Sequence, residues 1–269
     1  MNLRDAFLVG GGCPVIDVHG HLGPFHGIFM PEAALDSMVS ALERYGYEHL
    51  VLSPHSALDG DTREGNREML DAVSNYPGRL YGYCTVNPNF PDEIQPEMDR
   101  YLGRPGVVGI KIHPSMHGRA VGDDTYVPVW ERAQADRLMV LSHTWGLDGG
   151  CGAKDMREIA ERYPDVRLLL GHSCYGAWKD AIALAKEFPN VYLELTAAYH
   201  AYGVLEWMCR EAGSEKVLFG TDYPWFDPFL AIGCVVFAHI GEDEMRNILY
   251  TNARLLLDEQ LARTAQSSR

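Results

Sequence analysis

The sequence predicts a (β/α)8 barrel, a single domain with an extra C-terminal helix, and three observations lead there. Short aliphatic runs alternate with helix-like stretches along the chain, the pattern of repeated βα units. The length, 269 residues, is that of one such barrel. Four of the runs, VIDVHGH, LMVLSHTW, LLLGHS and VLFGTDYPW, end on His19 and His21, His143, His172 and Asp222. Side chains at the ends of separate strands converge only where the strands lie parallel and adjacent, as at one mouth of this barrel.

Taken in order, the strands are expected at Val15-Val18, His49-Leu52, Leu80-Thr85, Val107-Ile112, Met139-Ser142, Arg167-Leu170, Val191-Leu195 and Val217-Phe219. Helices are expected between them at Glu32-Arg44, Glu64-Asn75, Asp92-Leu102, Val127-Asp136, Ala153-Arg162, Trp178-Glu187, Leu205-Glu211 and Asp227-Ala238. The segments NYPGR, RYPDV and EFPNV end helices with proline and a polar turn residue. A final stretch, Glu242-Leu257, opens with acids suited to a helix N-terminus and carries apolar spacing for packing against the barrel wall. Residues 259–269 read as a fraying tail. A doubly wound sheet would want a glycine fingerprint after the first strand, and GGGCP precedes it instead.

Composition narrows the function. Hydrophobic residues make up 46% and charged residues 22%, values of an ordinary globular chain. A net charge of −14, from 23 basic and 37 acidic residues, argues against binding nucleic acid. No apolar run is long enough to span a bilayer and no signal-peptide core is visible, so a cytoplasmic protein without membrane partners is expected. The six cysteines lack CxxC spacing and read as reduced and buried, with Cys174, close to His172, a candidate for the pocket.

Side chains alternate faces along a strand. In Ile16-Asp17-Val18-His19 that count sets the aliphatics on one face and Asp17, His19 and His21 on the other, toward the barrel axis. In GIKIHP it turns Ile110 and Ile112 toward the helices and Lys111 and His113 inward, and on the last strand Leu218, Gly220 and Asp222 share a face. Glu194 and Thr196 face inward by the same alternation, as possible substrate contacts. Strand-end imidazoles with one carboxylate make a donor set suited to a single divalent ion, zinc first and manganese or iron as alternatives. One strand-end histidine is more often structural than ligating; the whole set in barrel order favours the metal.

The strand-one HxH, the later strand-end histidines and the aspartate of FGTDYPW resemble the amidohydrolase superfamily, in its amidohydrolase-related branch, which includes decarboxylases of the aminocarboxymuconate semialdehyde type. The similarity runs from IDVHGH to ILYTNARLLL. It implies His19, His21, His143 and Asp222 as the metal ligands and His172 as the catalytic histidine beside them. Asp222 would also shuttle the proton of a metal-bound hydroxide while His172 donates to the oxyanion formed on a carbonyl. In binuclear relatives a fourth-strand lysine is carboxylated. Lys111 admits that role, a contact to substrate, or a plain ion pair.

Trp145 and Tyr223 are expected to wall the substrate, with Trp225 beside them, although packing under a loop is the equal alternative. His55, His113 and His117 are left without a chemical role, and Arg119 is one possible anion contact. Hydrolysis of an amide, ester or lactone of a small molecule is expected ahead of non-oxidative decarboxylation, because the chain is short for a decarboxylase of the branch. A homodimer is expected because barrels of this kind frequently pair.

Overall fold

The computed structural model describes residues 12–31, 33–146 and 149–267. Eight parallel strands pair in chain order: β1 Val15–Leu22, β2 Tyr47–Pro54, β3 Leu80–Thr85, β4 Val107–Ile112, β5 Met139–Trp145, β6 Arg167–Tyr175, β7 Val191–Glu194 and β8 Val217–Leu218. The ring closes between β8 and β1, where the Val18 N–H donates to the Phe219 carbonyl at 3.0 Å and the Asp222 N–H to that of His19 at 2.7 Å. The expected (β/α)8 barrel is therefore the observed one.

β3 and β4 match their expected ranges, whereas β1, β5 and β6 continue past theirs. His143 pairs with Gly171 and Trp145 with Tyr175, so His143 rides on paired strand rather than on free loop. The helices Val127–Asp136, Ala153–Arg162 and Trp178–Glu187 lie where expected. The first spans Leu35–Tyr45 and is capped by Gly46, whose φ of 72° closes it in the left-handed region; the expected start at Glu32 falls outside the described residues.

Ile16, Val18, Val51, Tyr81, Tyr83, Met139, Leu141, Leu169 and Leu218 fill the lower barrel, while Val15, Leu50, Leu52, Ile110, Ile112 and Leu170 belong to the layer under the helices. This corrects the face assignment on β1, where Ile16 and Val18 join the interior cluster. Asp17 instead accepts hydrogen bonds from the Tyr47 hydroxyl, 3.0 Å, and from the Thr221 hydroxyl, 2.5 Å. A register shift between Asp17 and Gly20 adds a residue to β1 against β2, and this bulge lets His19 and His21 face the upper barrel above Val18. Strict alternation could not anticipate an inserted residue. On β4 and β8 the expected faces hold.

The C-terminal segment differs more. Glu242–Arg246 and a wide turn at Asn247–Thr251 lead into a helix over Asn252–Ser267, so the part from Glu259 is not a fraying tail as far as the helix is described. Ala253, Leu256 and Leu257 join the interior cluster, so the helix stoppers the N-terminal mouth rather than lying on the wall. The Asn252 amide donates to the carbonyls of Ser214 and Val217 at 2.7 and 2.8 Å, and Glu259 pairs with Arg167 at 2.9 Å. Closing one mouth leaves the other for ligands.

Candidate active site

At the C-terminal mouth a cavity of about 260 Å³ is lined by His19, His21, Lys111, His143, His172 and Asp222, with His55, His113, Trp145, Phe25, Trp225 and Phe226 among its walls. The positions predicted from the strand ends, five of them from four separate runs, thus reach one pocket, and Lys111 and Trp145 join them.

The centre is built around Asp222. Its Oδ1 lies 2.9 Å from Nε2 of His19 and 2.9 Å from Nε2 of His21. The other ring nitrogens are anchored from behind: His19 Nδ1 lies 2.9 Å from Glu194 Oε2, and His21 Nδ1 lies 3.2 Å from the Ser53 carbonyl. Because a carboxylate and a carbonyl can only accept, the Nδ1 protons point outward and both Nε2 atoms turn toward one point, the arrangement that second-layer acceptors impose on metal-binding histidines. Two such nitrogens crowding a carboxylate oxygen need a proton or a cation between them. The donor set, two imidazoles and a carboxylate, suits a divalent ion, and among the described residues the possible ligand atoms of these three lie within 4.8 Å of one another.

The electrostatics carry the same message. Burial disfavours a charged His19, yet the Asp222 and Glu194 carboxylates outweigh it and push the imidazole up to about 9, against the opposing effect of Lys111. Lys111, its Nζ 2.8 Å from His19 Nε2, is brought down by burial to about 8, with Asp222 and Glu194 opposing. Burial would raise Asp222, but His19 and His172 hold it well below the ordinary carboxylate range. The pocket attracts positive charge to one point.

His143 and His172 are placed differently. His143 lies outside the group of three; its ring stacks on His113 with centroids 3.9 Å apart and planes 13° apart, and lies nearly parallel to Trp145 at 2°. His172 brings Nε2 to 3.9 Å from Asp222 Oδ2. Burial takes its imidazole down to about 4. Its backbone is left-handed, as are those of Ser173 and Cys174, with φ of 65°, 49° and 50°. That turn is held by the His172 N–H on Glu194 Oε2 at 3.0 Å, the Ser173 hydroxyl on the Glu194 carbonyl at 2.8 Å and the Cys174 N–H on Thr144 Oγ1 at 2.8 Å.

Other expectations are redistributed. Tyr223 is buried in the core rather than walling the pocket, because its backbone extends the sheet beside β1, accepting from the His21 N–H at 2.7 Å. Trp225 and Phe226 take its place. Glu194 and Thr196 do face inward, but they lie beneath His19, where Thr196 donates through its N–H and its hydroxyl, each at 2.6 Å, to Glu194 Oε1. Cys174 is fully buried, its thiol pushed by burial up to about 12. Arg119 pairs with Asp123 on the surface at 3.7 Å. His55 and His113, given no role from sequence, both line the cavity; the inward phase of GIKIHP was the available signal for His113, while nothing in SPHSA signalled His55.

Fold and site together define a barrel enzyme with a metal-capable centre, and the chain belongs to the amidohydrolase family, whose model matches residues 16–258. Gamma-resorcylate decarboxylase of Polaromonas sp. (strain JS666) is 21% identical over 282 residues, which span 82% of this chain and 86% of that protein. An uncharacterized TIM-barrel protein of Bordetella bronchiseptica superposes with a TM-score of 0.77 at 17% identity, over 92% of this chain and 99% of its own. The 5-carboxyvanillate decarboxylase of Novosphingobium aromaticivorans, complexed with manganese and 4-hydroxy-3-methoxy-5-nitrobenzoic acid, superposes with a TM-score of 0.74 at 15% identity, over 92% and 96% of the two chains. At such identities the solved structures speak for the fold. The decarboxylases align over most of their own length, so the shortness that put hydrolysis first carries no weight. Among the described residues no helix is long and apolar enough to cross a membrane.

Proposed function

We propose that this chain is a metal-dependent decarboxylase that removes carbon dioxide, without net oxidation, from a small aromatic or enoic carboxylate. The observation that carries this reading is the make-up of one small cavity, which combines the donors His19, His21 and Asp222 and the cation Lys111 with aromatic walls. The decarboxylases among the similar proteins support it, and manganese, with which one of them is complexed, joins zinc as a candidate ion.

His19, His21 and Asp222 would hold the ion, with His143 as the fourth donor that the family resemblance implies. When bound, the ion supplies a positive centre that orients a carboxylate and stabilises charge on a neighbouring oxygen. Lys111 Nζ offers the same carboxylate a second positive contact. The nearly parallel rings of His113, His143 and Trp145 present a flat face to a planar substrate. As the carbon–carbon bond breaks, its electron pair remains on the substrate carbon and carbon dioxide departs, so that carbon must take up a proton. His172 Nε2, 3.9 Å from Asp222 Oδ2 on the cavity wall, is the group placed to deliver it. The apolar walls keep bulk water away from the carbanionic carbon.

The test is to load purified protein with Mn²⁺ or Zn²⁺, offer dihydroxybenzoates, 5-carboxyvanillate and enoic acids in deuterated water, and follow carbon dioxide together with deuterium in the product. One deuterium on the carbon that lost the carboxylate, per carbon dioxide released, is expected. Cleavage of lactones, esters or amides without carbon dioxide would restore hydrolysis, and a protein that binds neither ion would defeat both.

A further inference from the structure

Three loops at the mouth are joined by one chain of hydrogen bonds that the chemistry above does not use. Trp225, on the loop after β8, can only donate through its indole N–H, and its Nε1 lies 2.9 Å from His55 Nε2. His55, at the end of β2, must therefore keep its proton on Nδ1, which lies 2.6 Å from the Gly23 carbonyl on the loop after β1. The three side chains also pack as a unit. The Phe25 ring lies 4.9 Å from that of Trp225 and 5.2 Å from that of His55, and His55 stacks on His21 at 4.7 Å with planes 20° apart. His55 is buried at 1% exposure while Trp225 keeps 38%, so the assembly has a fixed inner end and an outer end at solvent.

We propose that Trp225 is a gating residue, latched to His55, and that ligands reach the metal-capable centre only when this indole swings away. The outer partner is the movable one: the Trp225 indole is held by one side-chain hydrogen bond and by edge contacts to the Phe25 and His55 rings, 4.9 and 6.0 Å away, while its backbone N–H stays on the Asp222 carbonyl at 2.8 Å; His55 is pinned by the Gly23 carbonyl and by His21. Opening the latch breaks the Trp225–His55 bond and separates the loops after β1 and β8 without disturbing the donors below. A gate of this kind changes the rates of arrival and departure by the same factor and leaves equilibrium affinity alone, which separates it from a residue that helps to bind. The inference rests on the reading of this pocket as the reaction site.

Trp225→Phe keeps a ring against Phe25 and deletes the donor. A hydrogen bond of typical net worth, about 1 kcal/mol, corresponds to roughly a fivefold change in the open population. Hydrogen–deuterium exchange over residues 23–31 and 223–227 should accelerate by about that factor in the variant, with the remainder of the barrel unchanged. In protein loaded with Mn²⁺, loss of the ion to excess EDTA should accelerate similarly, with its dissociation constant unchanged. Phe25→Ala, which removes one of the two ring contacts of Trp225 and keeps the donor, should accelerate both rates as well. Unaltered exchange in both variants would overturn the latch. An affinity for Mn²⁺ that weakens in step with the faster loss would overturn the gate and make Trp225 part of the binding site. Should the wild-type protein take up no Mn²⁺, the metal reading fails while the exchange measurement still decides the latch.

Discussion

Glu194→Gln tests the idea that one buried carboxylate organises both halves of the centre. Its two oxygens accept four hydrogen bonds: Oε2 from His19 Nδ1 and from the His172 N–H, Oε1 from the N–H and the hydroxyl of Thr196. Glutamine is nearly isosteric but replaces one acceptor by a donor. Whichever way the amide is turned, its NH₂ meets at least one backbone N–H, that of His172 or of Thr196, and neither can rotate away. Leaving one buried donor unsatisfied costs about 1–3 kcal/mol. The effect on the metal follows from geometry: with a weaker acceptor behind Nδ1, the Nε2 of His19 is a poorer and less fixed ligand, and removal of such partners typically lowers metal affinity about 10–100-fold. Thermal unfolding of the metal-free variant isolates the first cost, and titration calorimetry with Mn²⁺ measures the second. A variant that binds Mn²⁺ within about threefold of wild type, short of that range, would refute the claim that Glu194 sets the His19 tautomer.

Four further outcomes are expected. His172→Asn should keep the metal and lower turnover by about 10²–10⁴-fold, as for loss of a positioned proton donor; an empty site by elemental analysis would make His172 a ligand instead. His19→Ala and Asp222→Asn should each lose metal and activity together, and metal retained at full stoichiometry in either would contradict the donor set. Leu257→Ala, in the helix that closes the lower mouth, should destabilise by about 2–5 kcal/mol in urea unfolding, and a shift below about 1 kcal/mol would show that the helix does not seal the core. At about pH 8, with the Cys174 thiol pushed up to about 12, only about one in ten thousand is ionised, so alkylation followed by mass spectrometry should spare Cys174 until the chain unfolds.

Much of this architecture was legible because barrel geometry converts strand order into spatial neighbourhood. His19, Lys111, His143, His172 and Asp222 are scattered over 204 positions of sequence, yet each follows an aliphatic run at the same end of a strand. What escaped notice depended on contacts between distant segments. The bulge in β1 arises from its pairing with β2, and no residue in VIDVHGH announces it. Glu259 and Gln260 look like a solvent-exposed tail until Arg167 and the Arg137 carbonyl are brought beside them. Tyr223 and Trp225 were equivalent as aromatic neighbours of Asp222; backbone pairing with β1 turns the first into the core and leaves the second at the mouth.

The left-handed residues reveal a further division of labour. Among the described residues, besides Arg137 at a helix end, the non-glycine residues with φ near 50–65° are His172, Ser173, Cys174, Ala197 and Asp222, all at the C-terminal mouth. Each such conformation costs on the order of 1 kcal/mol, and glycine would adopt it freely. Glycine cannot supply an imidazole or a carboxylate, so at 172 and 222 the strain accompanies the chemistry. Ser173 and Cys174 are strained because the turn that lifts His172 out of the strand must continue through them. The surrounding hydrogen bonds offset that cost: Thr144 Oγ1 donates to the Gly171 carbonyl and accepts from the Cys174 N–H, while Glu194 accepts from both His19 and His172. The carboxylate that sets the tautomer of a metal-capable histidine thus also holds the backbone of His172, the proposed proton donor, so changes at Glu194 should reach binding and turnover together. Loss of the Trp225 indole N–H, which meets His55 and none of the proposed donors, should leave equilibrium binding of the ion and the proton step alone, and should alter the rate at which the site is entered and left.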